Sequence, residues 1–314
     1  MLTLLTCLIA LVPVETSTEG YLVTRLVGHQ GEVNSVAFSP DGKTLYSGDE
    51  HGKLIAWDVA TRKPRWTVEA QSGRVYSLAV SPDGKHIWTG GGEYTIHSWS
   101  AEGKAERTIE KHRDRVYVLT FSPDGSKVAS ACKEGLIALW DAKTGSLIES
   151  WQGHDDGIRG MTFIDDGKAL LTAGREGMLH RWSLQGGKPQ QSEHGHKDRI
   201  YGANLSPDGQ LAVTSCRDGS AKVWNAKTLK CQATFEGPKA ALLRSCFLPD
   251  GKTIASAGDT GLVWFWNAET GIPRTKLDDC GSKLNSLAVS IPGKLLAGAG
   301  SDHAVWLWDI SGGK

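Results

Sequence analysis

Seven tryptophans recur in one phase along the chain, and no other feature restricts its fold as strongly. Successive members are separated by 41 or 42 residues: Trp57, Trp99, Trp140, Trp182, Trp224, Trp266 and Trp308. Self-similarity at a fixed period of this size predicts stacked copies of one unit, each too small to bury its apolar faces alone. The spacing therefore predicts seven equivalent units within the 314 residues.

Two further markers keep the same phase. A Ser-Pro-Asp-Gly sequence occupies residues 39–42, 81–84, 122–125 and 206–209, and altered copies occupy 164–167, 248–251 and 290–293. A histidine precedes its tryptophan by 28 residues in four repeats, at His29, His112, His154 and His196. Three markers with one period over nearly the whole chain exclude a chance repetition.

Each unit contains four short runs in which apolar and polar residues alternate. In the first unit these runs cover residues 33–38, 44–48, 53–57 and 64–70. The Pro-Asp-Gly between the first two runs predicts a tight turn, because glycine accepts positive φ without steric cost. The pattern predicts an all-β chain of four-stranded antiparallel sheets, which cover one another when they stack radially as a propeller.

The residues at the ends of the unit resemble those of the WD-repeat β-propeller family. The first unit begins with Gly28-His29 and ends with Trp57-Asp58. The resemblance implies one seven-bladed propeller domain over residues 20–314, acting as an interaction scaffold. Only six residues follow Trp308, so a strand at about residues 21–28 is expected to complete blade 7. This pairing would close the ring and remove two open sheet edges.

The resemblance also implies a buried hydrogen-bonded set of His, Ser or Thr, Asp and Trp in each blade. The fifth repeat carries the full set: His196, Thr214, Asp218 and Trp224. In the third and fourth repeats Glu134 and Glu176 replace the Asp, which puts the geometry there in doubt. The set is expected to be missing or altered in the first, second and seventh repeats, which carry His51 at the Asp position and Gln71 and Cys280 at the His position.

Several features argue against catalysis and against a bound metal or cofactor. The seven innermost strands contain one acid, Glu32, and no histidine, whereas catalysis needs convergent acids, bases or metal ligands. A His-Ser-Asp set that repeats in several blades is explained by structure and not by a catalytic triad. His194 and His196 have a metal-like spacing, but His196 lies in the structural phase. We therefore expect a protein that is not an enzyme and holds no metal and no cofactor.

The resemblance places partner contacts on the narrow face of the propeller, at the mouth of the central channel. Three positions of each repeat reach this face: two near the start of the innermost strand and one just before the Asp position. In repeats 2 to 5 ten of these twelve positions are basic or aromatic, and the other two are Gly92 and Gly157. We call the ten residues the crescent: Arg74, Tyr76, Arg115, Tyr117, Lys133, Arg159, Arg175, Arg199, Tyr201 and Arg217. Acids at the same positions are confined to repeats 1 and 6, at Glu32, Glu50 and Asp259. The crescent is therefore expected to be locally positive.

The crescent favours a monomeric scaffold that binds an acidic or phosphorylated protein segment, because guanidinium groups match carboxylates and phosphates. The chain has 35 basic and 35 acidic residues, which argues against a globally basic nucleic-acid binder. Nucleic-acid binding by the crescent remains an alternative, since Arg and Tyr can also contact phosphates and stack on bases. A propeller enzyme with a channel-mouth site built from loop residues is another. Duplication of an ancestral repeat would also give the Arg-x-Tyr pattern without any function.

The first 19 residues differ from the repeats. Residues 2–14 form an apolar run, which is too short to span a membrane and is typical of a signal-peptide core. The usual basic start is absent, because no Lys or Arg precedes Arg25. A cleaved signal would place the protein outside the cytoplasm, in the periplasm or secreted; otherwise it is expected to be cytoplasmic. The cysteines show no evident pairing scheme, which favours a reducing compartment.

Overall fold

Turns at regular intervals divide the chain into strands of four to seven residues. The structure, a computed structural model, describes residues 22–278 and 280–311. These residues form 28 strands, β1 to β28, and none of them lies in a helix long and apolar enough to cross a membrane. The apolar segment predicted at residues 1–19 lies outside the described residues.

Four consecutive strands form each of the first six blades, and they pair in chain order. Blade 1 contains β2 (Val33–Phe38), β3 (Thr44–Asp49), β4 (Lys53–Asp58) and β5 (Lys63–Glu69). Blade 2 contains β6 (Val75–Val80), β7 (His86–Gly91), β8 (Thr95–Ser100) and β9 (Ala105–Glu110). Blade 3 contains β10 (Val116–Phe121), β11 (Lys127–Cys132), β12 (Leu136–Asp141) and β13 (Leu147–Gln152).

The second half of the chain repeats this arrangement. Blade 4 contains β14 (Ile158–Ile164), β15 (Ala169–Gly174), β16 (Met178–Ser183) and β17 (Gln191–His194). Blade 5 contains β18 (Ile200–Leu205), β19 (Leu211–Cys216), β20 (Ser220–Asn225) and β21 (Cys231–Glu236). Blade 6 contains β22 (Leu242–Phe247), β23 (Thr253–Gly258), β24 (Val263–Asn267) and β25 (Pro273–Leu277). Blade 7 contains β26 (Leu284–Ser290), β27 (Leu295–Gly300), β28 (Ala304–Asp309) and β1 (Leu22–Val27).

The two ends of the chain meet in blade 7. Strand β1 pairs antiparallel with β28, and Leu26 lies opposite Val305. The first strand of every blade contacts the first strands of both neighbouring blades, so these seven strands surround one central channel. The predicted seven-bladed all-β propeller, closed by the N-terminal strand, is confirmed.

The repeated Ser-Pro-Asp-Gly sequence makes the turn between the first and second strands of a blade. In blade 1 the Ser39 hydroxyl donates to Asp41 Oδ1 over 2.6 Å and accepts from the Thr44 backbone N–H over 2.9 Å. Gly42 has a φ of 69°, a conformation that favours glycine. The same Ser–Asp contact recurs at 2.6 Å in blades 2, 3 and 5, so the sequence marker reports this turn.

The seven phased tryptophans are at most 7% exposed and lie in clusters that join adjacent blades. Trp57 of blade 1 packs in one cluster with Leu26 and Leu307 of blade 7. Trp266 of blade 6 stacks on Phe235 of blade 5, with ring centroids 5.3 Å apart and an interplanar angle of 11°. Each sheet therefore buries its faces against its neighbours, as the length of a single repeat requires.

Candidate partner-binding face

The set predicted in blade 5 forms a chain of short contacts inside the sheet. Trp224 Nε1 donates to Thr214 Oγ1 over 2.8 Å, and Thr214 Oγ1 lies 2.7 Å from His196 Nε2. His196 Nδ1 lies 3.0 Å from the hydroxyl of Ser220, which donates to Asp218 Oδ1 over 2.6 Å. Asp218 Oδ2 is 3.8 Å from His196, so Ser220 is the nearer partner. The sequence analysis missed this serine.

Blade 1 has the set in altered form. His51 stands at the expected carboxylate position, and Asp49 takes the carboxylate role from two positions earlier. Its Oδ2 lies 2.7 Å from His29 Nδ1, and Ser47 Oγ lies 2.6 Å from His29 Nε2. Trp57 Nε1 donates to the same hydroxyl over 2.7 Å. Asp49 stands at the end of β3, a position that the sequence analysis did not compare.

The two repeats with glutamate differ from each other. In blade 4 Glu176 contacts His154 Nδ1, so the longer carboxylate completes the set there. In blade 3 His112 Nε2 lies 2.7 Å from Ser130 Oγ, but His112 Nδ1 is buried without a hydrogen-bond partner. The four histidines of this phase are buried and face the sheet interior. Because they are inaccessible, the geometry suits a structural role.

Ionisation inside blade 5 follows from burial and hydrogen bonding. Burial opposes the charge of Asp218, but the nearby His196 and the hydrogen bonds from Ser220 outweigh it and hold the pKa of this carboxyl well below its usual range. Burial lowers the pKa of His196 and raises the pKa of the Cys216 thiol to about 12. Cys216 is therefore protonated at neutral pH and is a poor nucleophile.

Two groups bring three possible metal ligands within 4.8 Å of one another: His154, Glu176 and His180, and His196, Cys216 and Asp218. Both ring nitrogens of His154 and of His196 already contact hydroxyl or carboxylate oxygens. A metal at either group would have to displace those contacts. His194, which suggested a metal-like spacing with His196, is exposed on β17.

A β-bulge near the start of every innermost strand points one residue of each blade at the channel. In blade 1 the register shifts between Val33 and Ser35, which leaves Asn34 as the extra residue. A bulge bends the strand and redirects the side chain of its extra residue. The seven bulge residues line a cavity of about 320 Å³ at the mouth of the channel: Asn34, Tyr76, Tyr117, Arg159, Tyr201, Leu243 and Asn285.

Four of these bulge residues form a continuous row across blades 2 to 5. The Tyr76 and Tyr117 rings meet edge to face, with centroids 5.2 Å apart. The guanidinium carbon of Arg159 lies 4.2 Å from the centroid of Tyr117 and 5.4 Å from that of Tyr201. The Arg159 guanidinium therefore links the paired rings of blades 2 and 3 to the Tyr201 ring of blade 5, and these cation–π contacts fix the relative positions of the rings.

The structure brings six members of the crescent to the cavity: Arg74, Tyr76, Tyr117, Arg159, Tyr201 and Arg217. It does not bring the other four there: Arg115, Lys133, Arg175 and Arg199. Arg115 is exposed and Arg199 is half-buried. The crescent therefore divides into six side chains that line the cavity and four that lie outside it.

The charge of the crescent is lower than the sequence analysis expected. Three aspartates, one position before the first crescent position, pair with neighbouring cations: Lys133 with Asp114 at 3.2 Å, Arg175 with Asp156 at 3.3 Å and Arg217 with Asp198 at 4.0 Å. Arg74 contacts Glu50 at 2.7 Å and Glu32 at 3.7 Å. Within the described residues, Arg115, Arg159 and Arg199 form no ion pair.

Arg244 is a site residue that the sequence analysis missed. It lines the cavity from blade 6, one position after the bulge residue Leu243. The other six repeats carry small or β-branched residues at this position: Ser35, Ser77, Val118, Gly160, Gly202 and Ser286. An arginine in a column of small residues is the signal that could have identified it.

The chain was compared with families of known proteins. The family model described as WD domain, G-beta repeat matches seven segments, which end at the residue after each phased tryptophan: 20–58, 62–100, 103–141, 145–183, 187–225, 229–267 and 271–309. Together these segments cover most of the chain.

Curated relatives match over about one repeat. WD repeat and FYVE domain-containing protein 2 of Caenorhabditis briggsae is 46% identical over 13% of this chain and 11% of its own length. Small ribosomal subunit protein RACK1 of Medicago sativa is 45% identical over 15% of this chain and 14% of its own length. Retinoblastoma-binding-like protein E of Dictyostelium discoideum is 39% identical over 16% and 10%, respectively. The matched part spans about a seventh of these relatives or less.

Proposed function

Because the chain belongs to the WD-repeat family, we propose that it acts as a non-catalytic scaffold for protein interaction. The proposed ligand is an acidic or phosphorylated segment of a partner protein, lying across blades 2 to 5 of the narrow face. One observation carries the proposal: Arg115, Arg159 and Arg199 form no ion pair within the described residues, and the Arg159 guanidinium lies against the rings of Tyr117 and Tyr201.

The geometry suits a segment that lies across the face and inserts into the cavity. An unpaired guanidinium can bind a carboxylate or phosphate through two parallel hydrogen bonds. Tyrosine rings contribute contact area at low cost in conformational entropy. The cations that already have aspartate partners contribute less, because a new anion must compete with the existing one.

The cavity supports a binding role over a catalytic one. Its lining includes one carboxylate, from Asp259, and no histidine. Burial raises the pKa of Cys246, whose thiol belongs to the same blade as Arg244, to about 12. The names of two relatives, a ribosomal subunit protein and a retinoblastoma-binding-like protein, also describe proteins that associate with other macromolecules.

Nucleic-acid binding is a weaker second candidate. Base stacking needs free aromatic faces. Arg159 covers one face of Tyr117, and the edge of one of the Tyr76 and Tyr117 rings meets the face of the other. A base would have to displace these contacts. A titration with single-stranded RNA over a series of salt concentrations tests this candidate, since phosphate contacts give a steep salt dependence.

The test of the proposed function is a double charge reversal, Arg115→Glu with Arg199→Glu. Both side chains lie outside the cavity and have no ionic partner in the described residues, so thermal stability should change little. Affinity capture followed by mass spectrometry should recover partners with the wild type and lose them with this variant.

A matched control reverses two charges on the same blades at the opposite face. Lys143 and Lys227 are exposed in the turns between the third and fourth strands of blades 3 and 5. The control, Lys143→Glu with Lys227→Glu, should retain the partners. Equal capture by the Arg115/Arg199 variant and the wild type would refute the proposed face.

A further inference from the structure

Arg159 lines the cavity and has no ion-pair partner among the described residues. It is the extra residue of the β14 bulge, and its guanidinium lies between the rings of Tyr117 and Tyr201. Its Nε atom is buried and has no hydrogen-bond partner in the described residues. A buried guanidinium N–H without an acceptor is costly, so an acceptor that enters the cavity gains by binding this group.

Arg244 approaches the same place from the other side. Its side chain extends from blade 6 toward blade 5, where Nη1 donates to the backbone oxygen of Tyr201. The same nitrogen also donates to the backbone oxygen of the preceding residue, Leu243, over 3.1 Å. The side chain passes over Gly202, where a Cβ would lie 3.4 Å from both Cδ and Nη1 of Arg244. The backbone contacts hold Nη1 in place, and the side chain lines the cavity.

The two arginines lie close enough to repel each other. Burial and the charge of Arg159 lower the pKa of Arg244 to about 10, so it still carries its proton at neutral pH. Arg74 and Arg217 have carboxylates at 2.7 Å and 4.0 Å, whereas Arg159 and Arg244 form no ion pair with any described residue. One residue of the cavity lining is acidic, Asp259, and five are cationic: Arg74, Arg159, Arg217, Arg244 and Lys283.

We propose that Arg159 and Arg244 form a subsite for one phosphate group inside the channel mouth. A phosphate carries up to two negative charges and several acceptor oxygens, which matches two adjacent guanidinium groups. The cavity of about 320 Å³ accommodates a phosphate together with the side chain that carries it. That the phosphate belongs to a partner protein rests on the proposed function, whereas binding of the anion itself does not.

The first experiment measures inorganic phosphate binding by isothermal titration calorimetry at low ionic strength. The wild type should bind phosphate, and both Arg159→Met and Arg244→Met should weaken binding at least about tenfold, the effect of losing one charge-assisted contact. Lys227→Met removes a cation at the opposite face and should bind like the wild type. Absence of phosphate binding by the wild type, or wild-type affinity in Arg244→Met, would overturn the subsite.

Arg159→Met is a second variant of the subsite, and its substitution puts the fold at less risk than Arg244→Met does. Arg244 bonds to two backbone carbonyls, so its loss could disturb the fold, whereas Nε of Arg159 has no hydrogen-bond partner among the described residues. Should Arg244→Met fail to fold, Arg159→Met carries the test alone. A folded Arg159→Met that binds phosphate like the wild type overturns the subsite.

A second arm identifies the source of the phosphate. A glutamate-rich peptide with one phosphoserine is compared with the same peptide carrying serine. Tighter binding of the phosphopeptide to the wild type, with the difference lost in Arg244→Met, supports a phosphorylated partner. Binding of inorganic phosphate without any effect of peptide phosphorylation supports a free-phosphate site. If both peptides bind through Arg115 and Arg199 while inorganic phosphate does not bind, the proposed function stands and the subsite is refuted.

Discussion

Replacement of Thr214 by valine tests whether the buried set of blade 5 holds the propeller together. Thr214 is fully buried, and its hydroxyl links Trp224 Nε1 at 2.8 Å to His196 Nε2 at 2.7 Å. Valine keeps the branched shape and removes the hydroxyl, so two buried nitrogens lose their partner. Each such loss costs about 1–3 kcal/mol, which gives a total of about 2–5 kcal/mol after the hydroxyl's own desolvation is subtracted.

The loss of stability in Thr214→Val can be measured by thermal and by urea denaturation. About 290 described residues with an unfolding entropy of about 2.1 cal/mol/K each give about 0.6 kcal/mol/K, so the melting temperature should fall by about 3–8 °C. Urea denaturation, with refolding checked, should give the matching free energy. Thr120→Val is the control, since its hydroxyl makes one contact of 3.4 Å to the adjacent carbonyl. Equal stability of Thr214→Val and Thr120→Val would refute the reasoning.

Two further predictions concern ring closure and pH. Leu26 of β1 is 2% exposed between blades 7 and 1, so Leu26→Ala should cost about 2–5 kcal/mol in urea denaturation. Leu22→Ala, at a position 45% exposed in the same strand, should cost less than about 1 kcal/mol, and equal costs would contradict closure through β1. Burial and nearby Lys111 lower the pKa of His112 from 6.5 to about 4. Because the folded-state pKa is depressed, the stability from neutral His112 is complete above pH 6.5 and is lost as pH falls through about 4, a loss of about 3 kcal/mol. His112→Gln should flatten the pH dependence of the unfolding free energy by that amount, and an unchanged profile would contradict this assignment.

The architecture could be predicted because the repeat encodes it seven times. A single blade carries ambiguous signals, but seven tryptophans in one phase fix the length of the unit and the number of blades. The sequence also showed that Tyr76, Tyr117 and Tyr201 occupy one phase, but it did not predict the β-bulge that the structure has at this position in those blades.

Contacts between different phases could not be predicted from the repeat. Asp49 replaces the expected acid of blade 1 from two residues away, and its other carboxylate oxygen accepts from the His51 backbone N–H. Asp114 and Asp198 lie one residue outside the positions assigned to the narrow face, yet their carboxylates reach Lys133 and Arg217. Side-chain length and rotamer decide these pairings, and a comparison of equivalent positions does not contain that information.

Arg244 and its equivalents in the other repeats, one position after each bulge residue, differ between the two sides of the propeller. Three serines of this column tie innermost strands to the next blade: Ser286 accepts from the Val36 N–H at 3.2 Å, Ser35 from Leu78 at 3.1 Å and Ser77 from Leu119 at 3.0 Å. In blades 4 to 6 the column changes to two glycines and an arginine, and the serine ties are absent from that part of the described chain.

The strands of that sector remain close without the serine ties. A Cβ at Gly160 would lie 2.7 Å from the backbone nitrogen of Ala203. Arg244 packs over Gly202, and its guanidinium links blades 6 and 5 by donating to the Tyr201 carbonyl. The only charged residue of the column thus lies in the sector without serine ties. The residues that repeat in this column support the fold. Arg244 departs from the repeat and places a second cation in the cavity that Arg159 lines. Two neighbouring guanidinium groups match the charge and the acceptor oxygens of an anionic ligand.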